Sequence, residues 1–258
     1  MAPVPKKRLG QHFLTDRHYI DRIIKAIAPK VGELMVEIGP GLGAITEPLI
    51  GELGHLQVVE IDRELAAALR ERFDETQITV HDSDALEFDF GRIGARFRIA
   101  GNLPYNISTP LLFHLADYAG HIIDATFMLQ KEVVDRMVAA PDTEAYGRLS
   151  VMLQYRFAMK RLFDVPPGAF YPPPKVDSAI VRMVPLPADR PRARNDKRLA
   201  EIVTAGFGQR RKTLSNTLKP FMPAAAIEAQ GIDPKRRAET LSLAEFMRLA
   251  DASESAAK

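Results

Sequence analysis

Apolar residues fall along this chain in two alternating rhythms. Short, nearly continuous apolar runs occur at Leu34–Ile38, Leu56–Ile61, Ile78–His81, Arg98–Ala100 and Ala125–Gln130. Each is too short for a helix, and such runs suit strands covered on both faces. Between them the period becomes helical. Ile20, Ile23, Ile24 and Ile27 share one face of a helix that Thr15 or Asp16 can cap and that stops near Pro29. Further helices are predicted from about Ile45 to Leu53, from an Asp62 cap through Phe73, over Ser108–Tyr118 and over Lys131–Ala139. Strands alternating with helices predict an α/β fold with a doubly wound sheet.

The rhythm changes later in the chain. Arg156–Phe163 and Ser178–Val184 read as strands. Between them lies Pro166-Pro167-Gly168-Ala169-Phe170-Tyr171-Pro172-Pro173-Pro174-Lys175, whose prolines hold an extended, stiff loop with few donors. After Pro185 and Pro187 the chain turns helical and basic. Two domains are therefore expected, 1–186 and a small all-helical one over 187–258.

Composition narrows the class. A chain of 258 residues with 46% hydrophobic and 26% charged residues has ample material for a core. No cysteine is present, which excludes disulfides and thiolate metal sites and is compatible with a reducing cytoplasm. The six histidines show no metal-ligand spacing, so no metal is expected. No apolar run is long enough to span a membrane. Net charge is only +2, yet residues 188–219 hold nine Lys/Arg against three acids, and Lys6, Lys7 and Arg8 add a basic N-terminal arm. Local basic patches on a near-neutral protein suit a polyanion.

Two motifs carry the candidate chemistry. Gly39-Pro40-Gly41-Leu42-Gly43 follows one predicted strand and precedes a helix, where glycine lets backbone approach a ligand. With Ala44 it satisfies a dinucleotide fingerprint, so a nicotinamide oxidoreductase is one reading. Glu60 ends the next strand, placed to accept ribose hydroxyls. Glu37, close to the loop, can orient it or meet a cationic group. Asp84, preferred over Asp82, can accept from an adenine amine. The second motif is Gly101-Asn102-Leu103-Pro104-Tyr105. An amide oxygen, a backbone carbonyl at Leu103 or Pro104 and an aromatic face suit a flat base with an exocyclic amine. Phe170 is expected to cover the opposite face of such a base. Gly208-Gln209-Arg210-Arg211-Lys212 is expected to join two helices and touch phosphate.

Gln11–Leu14, Val36–Gly43, Val59–Asp62, Asp84-Ala85, Gly101–Tyr105 and Phe170–Ser178 occur in the order and spacing of the ribosomal RNA adenine dimethyltransferase family. The chain resembles a bacterial member from about Arg8 to about Leu249. The resemblance implies a Rossmann-like methyltransferase domain with a small helical C-terminal domain, and S-adenosylmethionine as cofactor. It implies a donor site including His12, Leu14, Gly39, Gly41, Glu60, Asp84 and Asn102. The substrate it implies is a pair of adjacent adenosines in the 3′-terminal stem-loop of small-subunit (16S) ribosomal RNA within the immature subunit. Each is methylated twice at N6, in the cytoplasm, and the enzyme is expected to be a monomer. Other readings are a methyltransferase of large-subunit RNA and an assembly factor that chiefly binds and releases.

Overall fold

The structure, a computed structural model, describes Lys6 and residues 10–255. Lys7 and Arg8 of the expected basic arm lie outside the described residues. The chain forms two compact units. One runs through Val134 and takes in Phe157–Pro185; the other comprises Asp135–Arg156 and the chain from Leu186 onward.

The first unit opens with β1 (Phe13–Leu14) and α1 (Arg17–Ile27). Asp16 caps α1 by accepting from His18 N at 2.9 Å, and Ala28, with φ of 49°, ends it just before Pro29. Next come β2 (Met35–Ile38), α2 (Thr46–Leu53), β3 (Leu56–Glu60), α3 (Arg63–Arg72), β4 (Ile78–Asp82), β5 (Phe97–Asn102), α4 (Ser108–Asp117) and β6 (Ile122–Gln130). Then α5 (Lys131–Val138) begins, and α6 (Arg148–Gln154) follows in the second unit. Returning to the first, β7 (Phe157–Val165), β8 (Phe170–Tyr171) and β9 (Ser178–Pro185) complete it.

Seven strands form one sheet in the order β4-β3-β2-β5-β6-β9-β7. The first five are parallel, and β9 runs antiparallel to both β6 and β7. Their sequences demand this burial: Val36, Leu56, Val58, Ala100, Phe127 and Leu129 are fully buried. The order reverses between β2 and β5, so the carboxyl ends of β2, β3, β4 and β5 open on one crevice at the switch point. This is a Rossmann-like fold. Gly101 makes the close approach possible, since a Cβ there would lie 2.5 Å from the Ile38 carbonyl oxygen.

The second unit contains only helices among the described residues. Its later helices are α7 (Asp196–Gly208), α8 (Leu214–Thr217), α9 (Ala224–Glu228) and α10 (Leu243–Ser255). Tyr146, Val151 and Tyr155 pack into one core with Leu199, Ile202, Leu214, Phe246 and Leu249. The segment 135–156, which the sequence reading leaves in the first domain, therefore belongs here. The reason is packing: the apolar faces around Tyr146 and Tyr155 are covered by α7 and α10 rather than by the sheet. Tyr155 also donates to Asp196 in the first turn of α7 at 2.5 Å, beside an Arg156–Asp196 ion pair at 2.8 Å.

Candidate functional site

One pocket lies at the carboxyl edge of the sheet. Its walls are the arm at Gly10–Leu14, the loop after β2, the ends of β3 and β5, and the turn after β4. His12, Leu14, Gly39, Gly41, Glu60, Asp84 and Asn102–Tyr105 all line it. Gly39, Glu60, Asp84 and Asn102, far apart in sequence, meet because they lie at or just after the ends of neighbouring strands, and the arm adds His12 and Leu14.

The glycine loop approaches closely for conformational reasons. Gly39, Gly41 and Gly43 take φ of 67°, 59° and 83°, which side chains rarely adopt. A Cβ on Gly41 would also meet the Phe13 ring at 3.2 Å. Gly41 N donates to Glu60 Oε2 at 3.2 Å, and Asp62 N donates to Glu60 Oε1 at 2.9 Å. Burial pushes the Glu60 carboxyl up, against the pull of these donors. The carboxyl still lines the pocket, where its remaining acceptor capacity suits a diol.

Glu37 is 1% exposed, and its Oε2 accepts from Thr46 Oγ1 at 2.7 Å. Its other oxygen has no donor among the described residues. Burial pushes this carboxyl to about 8; the Thr46 hydroxyl opposes the shift and the nearby Glu60 charge adds to it. Asp84 lines the pocket; its Oδ1 accepts from Leu86 N at 2.9 Å, and its Oδ2 has no donor among the described residues. Asp82 is exposed and does not line the pocket.

Asn102 ends β5. Its Nδ2 donates to the His12 carbonyl at 3.1 Å, which fixes the amide because a carbonyl can only accept. Oδ1 is left unspent. The Leu103 carbonyl has no donor among the described residues. The Pro104 carbonyl, by contrast, already accepts from Ser108 Oγ at 2.9 Å and Ile107 N at 3.2 Å. Of the two carbonyls left open by sequence, Leu103 is the available one, and that of Pro104 is taken up by the turn leading into α4. Tyr105 is half-buried, and burial pushes its phenol up. Its hydroxyl pairs with Ser178 Oγ at 2.6 Å, while the His12 ring stacks on it at 5.7 Å between centroids. The His12 Nδ1 bonds to the Pro172 carbonyl at 2.8 Å.

Phe170 requires a correction. It was expected to cover a base, but it is 4% exposed and packs in the sheet core with Leu14 and Ile180. Phe13 and Leu14 pair with Tyr171 and Phe170, so the two-stranded ribbon points Phe170 inward. Its neighbour Tyr171 is 67% exposed. Sequence reasoning also missed the tie between the arm and α3. Lys6 Nζ and Gln11 Nε2 bind the Asp62 carboxylate at 2.7 and 3.1 Å. The Gln-x-x-Leu spacing of the arm carried no sign of that contact.

In the second unit, residues 208–212 are exposed and run from the last residue of α7 into the turn before α8. No group of three or more His, Asp or Glu suited to a metal occurs among the described residues. No helix among them is long and apolar enough to cross a membrane.

The family model described as ribosomal RNA adenine dimethylase matches residues 4–254. The ribosomal RNA small subunit methyltransferase A of Aromatoleum aromaticum is 62% identical, over 94% of this chain and 91% of its own. A crystal structure of a dimethyladenosine transferase from Plasmodium falciparum superposes with a TM-score of 0.79 at 25% identity. That match covers 92% of this chain and 96% of the other. The 23S rRNA methyltransferase ErmE is similar at a TM-score of 0.71 and 26% identity, covering 94% of this chain and 99% of its own.

Proposed function

The chain belongs to the ribosomal RNA adenine dimethylase family, and from this premise we infer that it methylates N6 of two adjacent adenosines in the 3′-terminal stem-loop of small-subunit ribosomal RNA. It acts on immature subunits in the cytoplasm, as a monomer. The relative at 62% identity acts by name on the small subunit, and the large-subunit enzyme shares only 26%.

The methyl donor is S-adenosylmethionine, and the donor set in the pocket fits it. Glu37, a buried carboxyl with one oxygen free of donors among the described residues, suits a cationic ligand, whose charge favours the ionised form that burial alone disfavours. Glu60 keeps lone pairs for a diol, Asp84 one oxygen for an adenine amine, and Leu14, Ile38 and Ile61 offer apolar walls. When bound, this group supplies an electrophilic methyl on a sulfonium.

The protein's own work is at the acceptor. The adenine N6 lone pair is conjugated into the ring, so the amine is a poor nucleophile. Hydrogen bonds from N6–H to Asn102 Oδ1 and the Leu103 carbonyl hold the nitrogen in a more tetrahedral shape, with its lone pair toward the methyl. Each bond contributes only about 1 kcal/mol net. Alignment supplies more, up to about 7–11 kcal/mol in well-oriented reactions. The alkylated nitrogen is strongly acidic, so water takes the proton. After the first methylation only one N–H remains, and one acceptor becomes dispensable. The target base leaves its stack to enter, and Tyr105 stacks on it. The exposed basic turn at 208–212 contacts RNA phosphate.

The observation that carries this reading is the fixed Asn102 amide, held by the His12 carbonyl with its oxygen left over. Purified protein, immature small and large subunits together and tritiated methyl donor test it, with the two RNAs separated before digestion to nucleosides. N6,N6-dimethyladenosine at two neighbouring positions is expected. Label confined to large-subunit RNA, or none at all, overturns it.

A further inference from the structure

Tyr171 is the most exposed aromatic residue named so far, and nothing in the reaction above uses it. Its side chain is 67% exposed while its neighbour Phe170 is buried. The position is held from both sides of the loop. Tyr171 pairs with Phe13 in the arm, and the next carbonyl, that of Pro172, accepts from the pocket residue His12. At the far end, Asp177 O accepts from Lys131 N at 2.9 Å, and Ser178 Oγ pairs with the Tyr105 hydroxyl. Three consecutive prolines stiffen what lies between. An exposed aromatic on a rigid support loses little entropy when it stacks.

We propose that Tyr171 is a second stacking platform, outside the reacting pocket, for the nucleobase next to the one being methylated. This rests on the RNA-methyltransferase reading above. When a nucleotide is extruded, its neighbour loses a stacking partner and bares one face. Tyr171 does not line the pocket but adjoins it, paired with the lining residue Phe13 and followed by the Pro172 carbonyl that holds the lining residue His12. The loop's charged side chains, Lys175 and Asp177, are both exposed and cancel. Stacking, not phosphate attraction, is therefore what this loop offers. Every base has a π-face, so the platform is tolerant of sequence.

The test uses the full chain with Tyr171→Ala and Tyr171→Phe. Two readings are taken: methyl-transfer kinetics on immature small subunits, and direct affinity for a stem-loop RNA carrying 2-aminopurine beside the target adenosine. In Tyr171→Ala, KM for the subunits and Kd for the RNA rise about five- to a hundred-fold. Meanwhile kcat, methyl-donor affinity and Tm hold, and the 2-aminopurine quenching seen with the native protein is lost. Tyr171→Phe behaves as the native protein. The rise should persist at high salt, unlike a phosphate contact. Unchanged KM and Kd in Tyr171→Ala overturn the proposal while leaving the reaction standing. If the native protein transfers no methyl, the reaction reading fails, and the RNA affinities alone decide the platform: weakened binding in Tyr171→Ala supports it and unchanged binding overturns it.

Discussion

The two ends of the parallel sheet both bury charged groups, and they treat them oppositely. At the amino end, Arg98 is 5% exposed and fully spent. Its Nε and Nη2 bind both oxygens of Asp124 at 2.7 and 3.0 Å, and its Nη1 meets Glu33 at 2.6 Å. It also donates to the last carbonyls of α1, Ile27 at 2.5 Å and Ala28 at 3.2 Å. Those carbonyls would otherwise lack partners at a buried helix end. At the carboxyl end, Glu37, Asp84, Asn102 and Leu103 each keep an acceptor with no donor among the described residues. Around Arg98 the hydrogen bonds are made within the protein, whereas the acceptors at the carboxyl end line the pocket, where a ligand can complete them.

The sharpest break of that comparison is at the closed end. Arg98→Ala leaves Asp124 and the α1 terminus short of donors, and breaking a buried ion network costs about 3–5 kcal/mol. Chemical denaturation should show that loss, while methyl-donor affinity of the folded fraction stays native. Reduced affinity at full folding would show that the two ends are coupled. Next comes the open end. Asn102→Ala should lower kcat on the order of 10²–10³-fold, by analogy with loss of one preorganised polar group. RNA binding and Tm should hold. Binding that falls as far as the rate would remove Asn102 from the chemistry.

Much of this was legible in sequence, for identifiable reasons. The strands β2 to β6 announce themselves because both faces are covered, so their apolar runs are continuous. Asp16 and Asp62 mark helix starts because a short acceptor there reaches the free N–H groups. That Gly39, Glu60, Asp84 and Asn102 would share one pocket could be read from sequence because α/β sheets open their clefts at strand ends. The ribbon of β1 and β8 was not, since two residues make no period. For the same reason sequence shows that Phe170 and Tyr171 face opposite ways, but not which faces in. Nor does the helical period around Tyr146 and Tyr155 say which core covers it. Pro104 looked as open as Leu103 because the Ser108 hydroxyl that occupies it lies one helical turn onward.

Acidity offers a finer discrimination between open and closed ends. The Glu37 carboxyl stands near 8 in the folded protein, against 4.5 as its ordinary value. The folded state thus holds a proton that the unfolded state has released across that range. Stability from this group is fullest below the ordinary value and falls as pH rises to about 8, by about 1.4 kcal/mol per pH unit. Glu37→Gln keeps an oxygen for the Thr46 hydroxyl but cannot ionise. Its denaturation midpoint should decline less between pH 5 and 8 than that of the native protein. Parallel curves would mean that Glu37 is already charged in the empty site.

The smallest effect expected concerns how the open end is kept in shape. Asp62 is 4% exposed and does two jobs: it caps α3 through Glu64 N at 3.2 Å and it holds Lys6 and Gln11. Gln11 cannot turn its amide round, because its Oε1 accepts from Lys6 N at 2.8 Å. Asp62→Asn can therefore keep the cap, yet it sets an NH2 against the Gln11 NH2 and weakens the arm's clasp. Asp62→Ala loses the cap too, at about 1 kcal/mol of stability. If the clasp serves the pocket, both variants should bind the methyl donor several-fold more weakly in calorimetric titration, by about 1 kcal/mol, and only the alanine should melt earlier. The arm reaches the chemistry through His12, by its carbonyl on the Asn102 amide and its ring on Tyr105. A loosened arm should therefore also lower kcat slightly, which a loss of α3 stability alone would not do. Native donor affinity in Asp62→Asn would mean that Phe13 and Leu14, paired with β8, hold the arm without it.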